Sequence, residues 1–374
     1  MTMWFIILLA IIALTMLALF YAVYGLRCVF RPCLSEKTAA AASSVSVLLL
    51  FIISGLCLRF INAAVIIWHL AVFLLIGSLI RSAVSVLFGR KLPEKTVPVL
   101  GFILSFAVLG GGWYADHHVW RTEYNLVTSK KVKPVKFVMF ADSHIGTTFD
   151  AEGFAGLVKD MNAERPDAVF IVGDFVDDDT SREDMIASCR ALAEFKTSMG
   201  GYFVAGNHDR GYYGAARRGF SMNELTEELV KNGVTVLSDE SVDLGEHLTV
   251  FGRRDFSVVR ERHGSRSTPS ELMTSIAPEN YTVVLDHQPT EYDLLAEAGS
   301  DLVLSGHTHG GQLFPFNQVG QIIGAVDAVY GHEHRRASDF IVTSGISDWA
   351  IKFKTGTKSE YVVISLRGSD SGDR

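Results

Sequence analysis

"GHTHGGQ", residues 306–312, sets His307 and His309 one residue apart among three glycines, directly after the apolar run "LVLS" at 302–305. Side chains at i and i+2 of an extended segment share a face, and a turn at the strand end can splay them apart. Glycine permits the sharp turn and lets a ligand come close to the backbone. A lone H-x-H is most often a polar turn. It becomes a pair of metal ligands only if other donors reach the same place.

Other apolar runs end the same way. "VKFVMFAD" runs into Asp142-Ser143-His144, "DAVFIVGD" into Asp174, and "GYFVAGNHD" into Asn207-His208-Asp209. "YTVVLDH" closes on Asp286-His287 and "DLVLSGH" on His307. Helical spacing falls between these runs at 154–164, 182–196, 222–231 and 291–298. Alternating strand and helix over this length predicts an α/β domain. The carboxyl ends of its strands gather at one edge, where ligands bind. Taken singly, Asp174 would cap a helix, Asn207 would shape a turn and His287 would be a half-buried imidazole. Five strand ends in succession delivering Asp, Asn or His predict a metal centre.

The ordered set D-x-H, G-D, G-N-H-D, H, G-H-x-H, from Asp142 to His309, resembles the calcineurin-like metallophosphoesterases. The resemblance covers about 134–366, and "GHTHGGQ" is similar to a bacterial phosphodiesterase branch often tied to membranes. It implies a four-layer α/β/β/α sandwich with two metals at the strand ends. Carried onto this chain, Asp142, His144 and His309 would hold one ion. Asn207, His287 and His307 would hold the other, with Asp174 bridging. His208 would protonate the leaving oxygen, and Asp209 would orient its ring. Mixed oxygen and imidazole donors without thiolate suit Mn, Fe or Zn, and such a pair can activate water and clamp a phosphate. Arg210, Arg253 and Arg254 are candidate contacts to a substrate phosphate or head group. The branch often carries a Pro/Arg-rich segment after the last Gly-rich turn; here "SGISDWAIKFKTGTK" stands instead.

The first 115 residues differ in kind. They hold eight Lys/Arg and two Asp/Glu, a net +6, against 26 and 39, a net −13, in the rest. Four charge-free windows, residues 1–26, 38–58, 60–80 and 96–115, each meet the requirement of about 20 apolar residues for a bilayer core of about 30 Å. They predict a membrane domain over 1–115 with helices at 3–25, 39–58, 61–80 and 96–115, the middle two forming a hairpin at Arg59. Residues 116–135 read as a linker, 136–366 as the catalytic domain and 367–374 as a disordered tail. Arg27, Arg31, Lys37, Arg81, Arg90, Lys91 and Lys95 lie in two loops on one side, and only Arg59 lies opposite. Positive-inside counting then predicts a multi-pass cell-membrane protein with an extracytoplasmic catalytic domain, although Lys130, Lys131, Lys133 and Lys136 argue the other way. Cys189 is the single thiol of the polar part, so that part folds without an internal disulfide.

The expected function is a membrane-anchored phosphoric ester hydrolase, a phosphodiesterase or pyrophosphatase-like enzyme. Its partners would be the lipid bilayer and a phosphoester, lipid-linked or from the cell envelope. A net −13 domain is a poor match for a nucleic-acid polymer, while a nucleotide phosphodiesterase is the enzymatic alternative. A non-catalytic sensor or transport-associated protein would be expected to lack metal ligands, and none is lost.

Overall fold

The computed structural model describes residues 2–368 except Lys91, Leu92, Glu94 and Ser275. Lys91 of the orientation count and Ser369–Arg374 of the expected tail therefore lie outside the described residues. The chain divides into two units. One is Met1–Tyr114 with Ala350–Phe353; the other is Ala115–Trp349 with Lys354–Arg374.

The first unit is built on α1 (Thr2–Phe30), α2 (Glu36–Leu58), α3 (Phe60–Phe88) and α4 (Thr96–His117). All four are long and apolar enough to cross a membrane. Only Arg59, at φ 70°, separates α2 from α3, so the chain reverses within one residue. Leu70, Leu74 and Ile67 of α3 pack with Ala18 and Ala22 of α1 and Val47 of α2. Small alanines at that seam let helices approach closely, as lipid-embedded packing favours. Large side chains such as Leu17, Phe20, Leu56 and Leu87 point outward, which suits a helix bathed in hydrocarbon.

In the second unit β1 (Val119–Thr128) and β2 (Val135–Phe140) are followed by α5 (Ala151–Ala163), β3 (Ala168–Val172), α6 (Arg182–Leu192) and β4 (Gly200–Val204). A short turn of helix α7 (Ala215–Arg218), α8 (Met222–Lys231), β5 (Val234–Leu237), β6 (Glu240–Asp243) and β7 (Leu248–Gly252) come next. Then follow α9 (Ser257–Arg260), α10 (Pro269–Thr274), β8 (Tyr281–Leu285), α11 (Tyr292–Ala298), β9 (Leu302–Ser305) and α12 (Val319–Ile322). The last strands are β10 (Gly331–Arg335), β11 (Ser338–Val342) and β12 (Ser359–Gly368). Helix starts obey local chemistry: Ser181 caps α6, Asp150 caps α5, and Ser221 with Glu224 forms a capping box on α8.

Two six-stranded sheets result, ordered β1-β12-β2-β3-β4-β5 and β10-β11-β9-β8-β7-β6. Inward residues of both sheets, among them Phe137, Phe170, Val250, Val283 and Ile364, form one core. The outer face of the first sheet is covered by α5, α6 and α8 through Phe154, Val158, Met185 and Leu225. That of the second is covered by α10 and α11 through Leu272, Tyr292 and Leu295. The layering is α/β/β/α, as the resemblance implied.

The stretch 116–135 differs from the expected linker. Within it β1 pairs in parallel with β12 from Val119–Ser359 to Thr128–Gly368. Its Trp120, Thr122, Tyr124 and Leu126 turn inward while Arg121, Glu123, Asn125 and Val127 are exposed. This is period-two alternation on a strand with a polar outer face, which composition alone disguises. Arg367 and Gly368, placed in the expected tail, complete β12.

Candidate metal centre

Five strands end at one edge of the two sheets, and their loops interlock. Asp142 N donates to Gly173 O at 3.0 Å and His144 N to Asp174 O at 3.1 Å, joining the β2 and β3 loops. Gly306 N donates to His287 O at 2.9 Å, joining β8 to β9. His307 N donates to both Asp142 oxygens at 3.1 and 3.0 Å, which ties one sheet to the other. The backbone is strained to do this. Asp142 (φ 52°), His144 (φ 37°), Asp174 (φ 51°), His307 (φ 71°) and His309 (φ 48°) all occupy left-handed conformations. Such conformations cost free energy for non-glycine residues and cluster at functional sites.

The side chains fall into groups able to hold cations: Asp142, His144 and His309; Asp174, His287 and His307; and His144, Asp177 and His208, donor atoms in each lying within 4.8 Å of one another. His287 Nε2 is 3.0 Å from Asp174 Oδ2, His144 Nε2 3.9 Å from the same oxygen, and His309 Nε2 3.7 Å from Asp142 Oδ1. The far ring nitrogens are spoken for. His287 Nδ1 lies 2.8 Å from Val172 O and His309 Nδ1 3.1 Å from Ser347 O. A backbone carbonyl at Nδ1 fixes the tautomer that leaves Nε2 as a lone-pair donor, the usual support for a metal-ligating histidine.

The donors fit two divalent ions. His144 Nε2 and Asn207 Oδ1 are buried with no hydrogen-bond partner among the described residues, and buried polar atoms are otherwise almost always paired. Burial pushes the Asp142 carboxyl up to about 6, with His287 and His144 pulling the other way. Burial likewise opposes charge on Asp174, yet His287, His208 and His144 hold its carboxyl well below the ordinary range. Burial and the neighbouring His287 push His307 down to about 4, so it is a neutral lone-pair donor at neutral pH.

Asn207 and His208 follow β4. His208 N donates to Asp174 Oδ1 at 2.8 Å, and its ring meets that of His144 edge-on at 4.9 Å. Burial lowers the basicity of His208 against the pull of Asp174. Asp209 was expected to orient that ring. Instead Oδ2 accepts from Asp174 N and Gly206 N, at 2.8 and 2.7 Å, and Oδ1 from Val176 N at 3.0 Å. It binds the β3 and β4 loops together, because loop convergence presents three N–H groups to one carboxylate.

The three arginines part company. Arg253 is 1% exposed and donates to Asp286 Oδ2 at 2.7 Å and Glu291 Oε2 at 3.0 Å, so its charge is spent inside the fold. Arg254 is exposed and reaches Ser238 Oγ at 3.3 Å. Arg210 stands beside His208 and Asp209, its Nε buried without a hydrogen-bond partner among the described residues. His332 and His334 lie on β10 and share Asp339 Oδ1 at 2.8 and 3.0 Å.

Sequence reading missed Asp177, whose Oδ2 lies 3.3 Å from His144 Nδ1. Its signal was the second carboxylate in "GDFVD", three residues beyond Asp174. It also missed Arg218, which is buried and donates to Asp209 O at 2.7 Å, and Lys354, which is buried and donates to Ser344 O at 2.8 Å. Neither carries a local motif.

The family model described as calcineurin-like phosphoesterase matches residues 135–311. The chain is 29% identical over 63% of its length to an uncharacterized metallophosphoesterase of Campylobacter jejuni, and spans 60% of that relative. It is 30% identical over 55% of its length to an uncharacterized metallophosphoesterase of Aquifex aeolicus, covering 76% of it. A Bos taurus transmembrane protein with a metallophosphoesterase domain is 26% identical over 63% of this chain, which covers 53% of that protein. The donors gathered at five strand ends lie inside the matched region, and the chain belongs to the calcineurin-like phosphoesterase family.

Proposed function

We propose that this protein is a membrane-anchored, two-metal phosphoric ester hydrolase acting on a lipid-linked or cell-envelope phosphoester. The observation that carries the reading is the clustering of Asp142, His144, Asp174, His287, His307 and His309 after β2, β3, β8 and β9, with Asn207 Oδ1 buried and without a hydrogen-bond partner among the described residues and His208 set against His144. Asp142, His144 and His309 would hold one ion and Asn207, His287 and His307 the other, with Asp174 shared between the two groups. Two divalent ions, when bound, acidify a water molecule and neutralise charge on the phosphate. Mn, Fe or Zn suits this donor set.

The chain's own groups do the rest. Carbonyls of Val172 and Ser347 keep His287 and His309 in the ligating tautomer. Asp209 and Arg218 brace the loop that carries His208. His208 delivers a proton to the departing ester oxygen, the general-acid role that an imidazole set beside the metal donors can take. Arg210, whose Nε has no hydrogen-bond partner among the described residues, is the cation offered to a non-bridging phosphate oxygen or an anionic head group.

The lipid-linked substrate and the extracytoplasmic side rest on the four apolar helices and on the basic residues in the loops 27–37 and 81–95. The test is metal analysis of the purified full chain, followed by hydrolysis of a panel of lipid-linked phosphoesters, lipid pyrophosphates and nucleotide diesters. Two metals per chain with turnover confined to the lipid members is the expected result. Turnover of nucleotides alone would move the substrate class, and a metal-free, inactive chain would remove the proposal.

A further inference from the structure

The His208 imidazole is flanked by aromatic side chains whose faces stay open. The Tyr212 ring meets it edge-on at 5.2 Å, and the Trp349 indole lies tilted against it at 5.7 Å. Tyr212 is 48% and Trp349 46% exposed. Tyr212 is held through its hydroxyl and its backbone, and the residue before Trp349 is anchored. Asn207 Nδ2 donates to Tyr212 Oη at 2.9 Å, and Tyr212 N donates to Asp178 Oδ2 at 2.9 Å. Next to Trp349, Asp348 N donates to Thr148 Oγ1 at 3.3 Å, and that hydroxyl donates to Asp348 Oδ2 at 2.8 Å.

Large aromatic rings gain most by burial, and half-open ones contribute little to the core. Scattered exposed apolar residues carry no message. Here two rings from loops far apart in sequence are fixed against one imidazole, at the mouth of a site with convergent polar groups, which is the make-up of a ligand pocket. The Tyr212 hydroxyl accepts from Asn207, so its rigid placement is coupled to a metal-ligand candidate.

We infer that Tyr212 and Trp349 wall a leaving-group subsite that selects phosphoesters whose departing alcohol carries a ring, aromatic or sugar, over straight alkyl esters. The inference rests on the hydrolase reading, in which His208 protonates the departing oxygen. The group bonded to that oxygen must then lie beside His208, where these two walls stand. Planar walls reward a flat or CH-faced ring by stacking more than they reward a mobile chain, which must also give up rotamer freedom.

The test uses the full chain in detergent with Mn²⁺. A phenyl and a fluoroalkyl ester of one phosphate are compared, their alcohols matched in acidity so that the demand on His208 is equal. The kcat/KM ratio is expected to favour phenyl by about threefold to tenfold, the range that aromatic contacts supply. It should collapse toward one in Trp349→Ala and largely persist in Trp349→Phe. A ratio unchanged in Trp349→Ala overturns the subsite.

A second measurement is independent of turnover. Quenching of Trp349 emission, taken as the difference from Trp349→Phe, is followed with benzylphosphonate, a C-glycosyl methylphosphonate and butylphosphonate. Quenching by the first alone assigns an aromatic ring and by the second alone a sugar ring. Equal quenching by butylphosphonate, or none by any, overturns the inference. A chain that hydrolyses nothing yet binds a ring phosphonate at Trp349 loses the hydrolase reading and keeps the subsite. Turnover without ring preference does the reverse.

Discussion

Arg253 Nη1 and Asp286 Oδ2 are 2.7 Å apart, and each side chain is 1% exposed. Arg266 reaches the other Asp286 oxygen at 3.0 Å and Glu291 at 2.5 Å, so two guanidiniums and two carboxylates close a network directly before His287. An arginine after a strand reads as a phosphate clamp in sequence; here it is a buried brace. Removing one member of a buried pair strands the other's charge, at a cost of about 3–5 kcal/mol. Arg253→Met should therefore lower the Tm of the metal-free catalytic unit by roughly 6–15 °C, read by near-ultraviolet circular dichroism. A shift below about 2 °C would show that the network does not stabilise the fold.

Asp174 stands between both donor groups, 3.0 Å from His287 Nε2 and 3.9 Å from His144 Nε2. Asp174→Asn keeps the shape and removes the negative charge that lets two cations lie close together. Metal content measured by emission spectroscopy should drop below two per chain, and turnover should fall by several orders of magnitude. Two retained metals with near-normal turnover would sink the bridging assignment.

His208→Ala removes the ring while the backbone N–H to Asp174 Oδ1 remains. Metal content should hold. Turnover of esters with poor leaving groups should slow by about 10²–10⁴, the scale of a lost general acid, and nitrophenyl esters should lose less. Equal losses on both ester types would exclude the proton-donor role, and loss of metal would make His208 a ligand.

Cys189 on α6 is buried, and burial pushes its thiol up to about 12. Only the thiolate reacts readily, and with the pKa raised the thiol stays protonated at every pH below that value. Alkylation at pH 8 should therefore label exposed Cys33, in the turn after α1, while sparing Cys189 until the catalytic unit is denatured. Rapid native labelling of Cys189, detected by peptide mass spectrometry, would contradict the packing of α6.

Sidedness is testable through α8, whose Lys231 is exposed. With the native cysteines replaced, Lys231→Cys in intact cells should react with a membrane-impermeant maleimide. Reaction only after lysis would put the catalytic unit in the cytoplasm and reassign the basic loops.

The donors were legible because apolar runs stop abruptly at Asp, Asn or His, and a strand has to end where its hydrogen-bonding pattern gives way to a turn. Layering followed from the alternation of runs and helical spacing. Other features depended on convergence that no local pattern encodes. Asp177 stands in an acidic run, "DFVDDD", where any member could be surface charge. The partners of Asp209 are N–H groups of three separate residues, Asp174, Val176 and Gly206, brought together only when two loops meet. Arg253 looks free until Asp286 and Glu291 arrive from β8 and the segment after it. β1 was hidden by its solvent face, where Arg121, Glu123 and Asn125 dilute the apolar signal.

The pairing of β1 with β12 has a consequence for biosynthesis. Residues 119–128 leave the ribosome long before 359–368, yet among the described residues β12 alone joins β1 to the sheet. Until it arrives, β1 and β2 both present open backbone edges, and such edges invite pairing with other chains. A nascent chain arrested before Ser359 would hold all seven proposed metal donors and still lack the seam that closes the sheet. Completion of the sheet thus waits on β12, and a chain halted before it should pair more readily with other chains through those open edges.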